Sequence, residues 1–200
     1  ARKNGIEASK TPFIMMLDCD DTLSDDMVDA LYSQYELYND TDIFVPNMFI
    51  QNKDQEWSEL KIYTNNLNLD PAECVKNSLN GWKIHGCCTF KKEVFLKSYN
   101  DYEEFNVLNE NFINNDEILT RLNFLNAKNI LRIESKYFYH YNNTSTTKKV
   151  NQNRYLMVNN ALILNKICFE NETFKLDALS ELISVLWATH RYKSKKLHAI

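Results

Sequence analysis

The sequence predicts an α/β fold closed by a helical C-terminal section, and three observations carry that reading. A short apolar run, Phe13 to Leu17, stops abruptly at a cluster of carboxylates. A helix-period segment and a second apolar run follow it, giving the order strand, loop, helix, strand. Residues 151–200 then show helical periodicity almost throughout. The order places a candidate site in the loop after the first strand.

Each element has its own local reason. Phe13 to Leu17 reads as a buried strand because it is continuously apolar rather than alternating. Ser24 reads as a helix N-cap, with Asp25 and Asp26 in the first turn, where the helix dipole favours acid. Leu23, Met27, Leu31, Tyr35 and Tyr38 then recur at helical spacing to about Asn39. Asp42 to Ile50 reads as a second strand, which Pro46 restricts to a sheet edge or a bulge. Residues 51–69 are polar and aperiodic, hence a loop. Asp70 caps and Pro71 starts a helix to about Asn80. Trp82 to Phe90 reads as a strand leading to a short helix at 91–98, with a loop over 99–114. Asp116 to Lys128 is an amphipathic helix with Ile118, Leu122 and Leu125 on one face. Two strand pieces follow, at 130–133 and 137–141, then helices at 151–169 and 173–190 and a basic tail from Arg191 to Lys196.

Composition removes several function classes. The 200 residues contain only three glycines, where average usage gives roughly fourteen, so neither a Walker loop nor a GxGxxG turn can be built. A nucleotide bound here needs another cation or dipole to meet its phosphates. Five cysteines without CxxC or metal-ligand spacing read as reduced thiols of a cytosolic protein. No apolar run approaches the ~18 residues of a membrane span. Residues 1–60 hold 4 basic and 13 acidic side chains, a balance of −9, while 61–200 hold 19 and 14, a balance of +5. The acidic front argues against a nucleic-acid partner and suits a cation.

The chemistry centres on Asp18-Cys19-Asp20-Asp21. On an extended backbone Asp18 and Asp20 point the same way, so two hard oxygen donors converge at a strand end. Such a pair suits Mg²⁺ or Mn²⁺, which take further ligands from substrate phosphates. The plainer reading is a solvated acid cluster at a strand-to-helix turn, and spacing alone leaves both open.

The segment Ala1-Arg2-Lys3-Asn4-Gly5-Ile6, followed by Phe13 to Asp21, resembles the inverting family 2 glycosyltransferases of GT-A fold, whose corresponding stretch ends in a DxD metal motif. The resemblance continues through Asn115-Asp116-Glu117-Ile118-Leu119, Ala127-Lys128, Tyr137-Phe138-Tyr139-His140 and Asn143-Thr144-Ser145-Thr146, and so covers about residues 1–147. It implies a GT-A-like mixed sheet with flanking helices over 1–147 and a helical extension over 148–200. Lys3-Asn4 inverts the usual order, Thr11 replaces a customary Gly, and Asn115 replaces the Glu of the family's acidic pair. The nucleoside-binding front half that precedes this segment in the family has no counterpart, so the chain is expected to be the later part of a catalytic domain.

What the resemblance implies is specific. A sugar moves with inversion from a nucleoside-diphosphate sugar, a UDP-sugar first of all, to a hydroxyl of a glycan or lipid-linked acceptor, in bacterial surface polysaccharide or glycoconjugate synthesis. Asp18 and Asp20 hold Mn²⁺ or Mg²⁺. Arg2, Asp18 and His140 face the donor, with His140 a third metal ligand in some relatives. Asp116 is the base, beside the plainer reading of a helix-start Asp stabilising the dipole. Trp82 stacks on the acceptor sugar or, more simply, packs in the core. A cytoplasmic location follows, with peripheral membrane contact through the basic C-terminus set against an ordinary solvated helix end. Two other classes remain. Leu17-Asp18-Cys19-Asp20-Asp21-Thr22-Leu23 resembles the first motif of haloacid-dehalogenase-like Mg-dependent phosphatases, with Asp18 the nucleophile, but no later GDxxxD acid pair follows. The other is a non-catalytic, acceptor- or partner-binding part of a larger enzyme.

Overall fold

The computed structural model describes residues 2–79, 81–107, 114–143 and 152–197. Thr144–Thr146 of the resemblance lie outside them. In chain order the elements are α1 (Arg2–Ala8), β1 (Phe13–Met15), β2 (Thr22–Leu23), α2 (Met27–Leu37), β3 (Ile43–Gln51), β4 (Trp57–Glu59), β5 (Asn68–Leu69), α3 (Pro71–Leu79), β6 (Thr89–Lys91), α4 (Lys92–Phe105), α5 (Asn115–Asn126), β7 (Ile130–Tyr139), a 3-10 turn (Gln152–Leu156), α6 (Met157–Cys168) and α7 (Lys175–Leu197). The strands form one mixed sheet in the order β1-β6-β3-β7-β2, with β4 added to β3 and β5 to β7. β3 and β7 run parallel and the other pairs are antiparallel. The α/β architecture with a mixed sheet, flanking helices and helical C-terminal section is as expected.

Helices cover both faces of the sheet, which explains why β3 opens with four consecutive buried residues. Ile43 and Val45 enter the larger core with α3, α4, α5, α6 and α7, contributed by Val75, Phe95, Leu122, Leu164 and Ala178. Phe44, one step out of phase, packs with Met27, Leu131 and Ile133 beneath α2. Pro46 does not put β3 at an edge. The strand lies inside the sheet, and the proline is absorbed where its register with β7 shifts between Val45 and Asn47.

Other departures share one cause, which is that distant partners outweigh local pattern. Ser24 is not the cap of α2. Its Oγ accepts the Lys136 backbone N–H at 2.9 Å, Leu23 joins β2, and the helix starts at Met27 after Asp26. The loop expected at 51–69 contains β4 and β5, short strands stabilised only by pairing with β3 and β7. Trp82 to Phe90 is a strand only from Thr89, α4 runs on to Phe105 where a loop is expected, and the two strand pieces at 130–141 are one strand, β7. Asp70, by contrast, caps α3 as expected, its Oδ1 accepting the Glu73 N–H at 2.9 Å.

Candidate functional site

A cleft of about 430 Å³ opens beyond the end of β1. Met16 and Asp18 come from the segment after β1, Met48 and Ile50 from β3, and Tyr137 and Tyr139 from β7, where alternation sends both tyrosines to one side. The loop from Trp82 to Cys87, the first turns of α5 with Asp116 and Glu117, Tyr99 of α4 and Arg2 of α1 complete the wall. Arg2, Asp18, Trp82 and Asp116 thus line one cleft. Asp20 and His140 are not among its lining residues.

The aspartate motif is a turn rather than an extended strand end, because the Asp21 N–H donates to the Asp18 carbonyl at 3.0 Å. The two-residue alternation expected of Asp18 and Asp20 therefore does not set their directions. Burial pushes the Asp18 carboxyl above its usual range, and the carboxylates of Asp21, Asp116 and Asp20 add to this against the Arg2 guanidinium 3.9 Å away. Asp20 is exposed and accepts the Asn142 Nδ2–H at 2.6 Å, which holds its carboxyl below the usual value. Asp21 is buried. It accepts the Tyr137 hydroxyl at 2.7 Å and the His140 backbone N–H at 3.0 Å, so it ties the turn to the end of β7. His140 Nε2 lies 3.0 Å from the Thr22 hydroxyl, and its ring meets Trp57 edge-on at 5.0 Å.

Among the described residues no three His, Cys, Asp or Glu side chains are grouped to hold a metal ion. The carboxylates of Asp18 and Asp20 are donors of the kind a hard divalent ion takes, with Asp20 held by Asn142 outside the cleft lining. The charge around Asp18 fits as well, since four carboxylates act there against one guanidinium.

Asp116 stands in the first turn of α5, and the start of that helix is pinned from the C-terminal section. Asn160 of α6, 3% exposed, donates through Nδ2 to Asn115 Oδ1 at 2.9 Å and to Asn114 Oδ1 at 3.2 Å, while its own Oδ1 accepts the Tyr102 hydroxyl at 2.9 Å. Glu117 is half-buried, and burial raises its carboxyl pKa against the nearby Arg121. Trp82 adopts a left-handed backbone, φ 54°, a strained choice for a bulky side chain. The Arg121 guanidinium sits 4.4 Å from its ring centroid. Gly86 permits close packing of the Trp82–Cys87 loop on α5, because a Cβ there would collide with the Thr120 side chain. His85 is fully enclosed, with Nε2 2.8 Å from the Pro46 carbonyl, and burial pushes its pKa down to about 4. It is neutral at pH 7. Burial pushes the Cys87 thiol up to about 12, which removes it as a nucleophile.

The sequence placed Asp21 in the acidic cluster and Tyr137 in a motif without giving either its partner, and did not single out Arg121, Asn160 or Thr120. For the tyrosine a signal existed, since Tyr137 and Tyr139 alternate toward the side of the carboxylates. The others show only when residues tens of positions apart are brought together.

Residues 1–98 match the model described as "Glycosyl transferase family 2". Over those residues, about half of its length, the chain is similar to the family 2 glycosyltransferases. No curated protein matches the sequence. The crystal structure of residues 1–349 of TarS from S. aureus superposes with a TM-score of 0.62 at 11% identity, covering 94% of this chain and 50% of that one. That likeness shows the GT-A-like fold, and the chain spans half the length of this neighbour. The match over residues 1–98 includes the Asp18 segment and favours the glycosyltransferase resemblance over the phosphatase one. No helix among the described residues is long and apolar enough to cross a membrane.

Proposed function

We propose that the cleft transfers a sugar, with inversion, from a nucleoside-diphosphate sugar to an acceptor hydroxyl. The observation that carries this is the convergence of Arg2, Asp18, Asp116 and two accessible aromatic residues, Trp82 and Tyr139, on one cleft. A cationic side chain and an acidic turn flank a space walled by rings of the kind that stack on sugar faces.

The residues divide the work by chemistry. Asp18 and Asp20 would hold Mn²⁺ or Mg²⁺, which when bound neutralises the diphosphate as it leaves; the glycine-poor chain has no backbone cradle for that purpose. Arg2 faces the same charge. Asp116 takes the proton of the acceptor hydroxyl as that oxygen bonds to the anomeric carbon and the bond from carbon to the diphosphate oxygen breaks. Attack opposite the leaving group inverts the centre. His140 acts from outside the cleft by orienting Thr22 and Trp57 at the edge of the aspartate turn. A UDP-sugar is the first donor to try, and a glycan or lipid-linked alcohol of the bacterial surface the first acceptor class.

Asp116→Asn tests the assignment. It should lower transfer by about 100-fold or more while UDP-sugar affinity stays within about twofold. Normal transfer by the variant would remove Asp116 from the mechanism. Failure of the chain to bind UDP or any UDP-sugar with Mn²⁺ would instead favour a non-catalytic, partner-binding role.

A further inference from the structure

Helix α7 carries two faces with opposite fates. Ala178 and Leu182 are buried against the rest of the protein, and Glu181 reaches Arg121 at 2.9 Å. On the other side Leu176, Leu179, Ile183, Leu186 and Trp187 are exposed, Leu176 by 74% and Trp187 by 62%. At 100° per residue these five fall within an arc of about 100°, along about 16 Å of helix. His190 continues the stripe, its ring stacked on Trp187 at 6.0 Å. Nothing among the described residues covers this face.

The charge around the stripe is one-sided. The acidic residues of α7, Asp177 and Glu181, lie on its half-buried flank, and no carboxylate side chain follows Glu181 in the sequence. Beyond the stripe the helix continues through Arg191, Lys193, Lys195 and Lys196, four basic residues within six. An apolar arc with a tryptophan, no acid within it and a basic sequence at its far end matches the chemistry of an anionic lipid surface, although Glu172 stands exposed before the helix, paired with Lys175. A second copy fits less well. The stripe is about two heptads long, short of the three to four that sustain a coiled coil, and lacks the charged flanks that set helix pairing.

We propose that α7 docks flat on an anionic membrane surface through Leu176, Leu179, Ile183, Leu186 and Trp187, with the basic end on the headgroups. The helix lies on the bilayer rather than across it, since it is too polar to span. The opposite side of α7 is joined to the cleft wall through Glu181, Arg121 and Trp82, so the docking face leaves that wall undisturbed. The surface stands apart from the transfer chemistry, so either can fail without the other.

The test is co-sedimentation of the full chain with phosphatidylglycerol–phosphatidylcholine vesicles and with pure phosphatidylcholine vesicles, at about 0.1 M and 1 M salt. The chain should bind the anionic vesicles at least about tenfold more tightly than the neutral ones. High salt should weaken binding, and Leu179→Ser/Ile183→Ser should lower it about tenfold or more with unchanged circular dichroism. Both positions are exposed, so the fold does not depend on them. Equal binding to neutral vesicles, no binding to either, or an unaffected double variant would overturn the proposal. So would a dimer seen by sedimentation velocity that the double variant dissociates, since the face would then join two copies.

Discussion

Arg121 joins the helical C-terminal section to the cleft, and replacing it should be costly in a way the geometry specifies. Its side chain is 5% exposed, its Nη2 donates to Glu181 Oε1 at 2.9 Å and to the Ser78 carbonyl at 3.2 Å, and its guanidinium covers Trp82. Arg121→Met keeps most of the buried volume but leaves Glu181, 18% exposed, without its cation. Breaking one side of a buried pair costs about 3–5 kcal/mol. Because Glu181 retains some solvent, the lower end applies, about 3 kcal/mol. Urea unfolding of Arg121→Met, Glu181→Gln and the double variant measures this. The double should be more stable than the sum of the singles by about 1–3 kcal/mol, since the second change removes the stranded charge. A single-variant cost under about 1 kcal/mol, or strict additivity, would show that the pair does not couple α7 to α5.

His85 is buried neutral with a pKa near 4 against the ordinary 6.5, so its contribution is complete above pH 6.5 and disappears as pH falls toward 4. The difference of 2.5 units corresponds to about 3 kcal/mol, and His85→Asn should flatten the pH dependence of stability by about that amount between pH 7 and 4. Identical slopes for wild type and variant would show that His85 is not the titrating group. Asn160→Ala removes the hydrogen bonds to Asn114, Asn115 and Tyr102 and should cost about 2 kcal/mol of stability. With the start of α5 released, kcat should fall more than KM rises; a change in KM alone would mean that Asn160 does not position Asp116.

What was legible in the sequence was whatever is settled locally. The Asp70-Pro71 helix start is visible because a cap and a fixed φ act within one turn, and the apolar run ending at Asp18 already marks the strand that leads to the cleft. Ser24 has the chemistry of a cap as well, yet β7 takes its hydroxyl from 112 residues away. Pro46 signals an edge or a bulge, and only the pairing with β7 decides for the bulge. β4 and β5 carry no pattern of their own because their pairing partners stabilise them. At the site, Asp18, Asp116, Arg2 and Trp82 were nameable from motif order, whereas the Asp21–Tyr137 and Asn160–Asn115 bonds join elements whose adjacency only folding creates.

The central claim is that the acidic turn and the cleft bind a nucleoside diphosphate through a divalent ion. Calorimetric titration of the full chain with UDP and UDP-sugars, with Mn²⁺ and with EDTA, addresses it most directly. Binding should require the metal and should weaken about tenfold or more in Asp18→Asn. Equal affinity in EDTA, or in Asp18→Asn, would contradict the account.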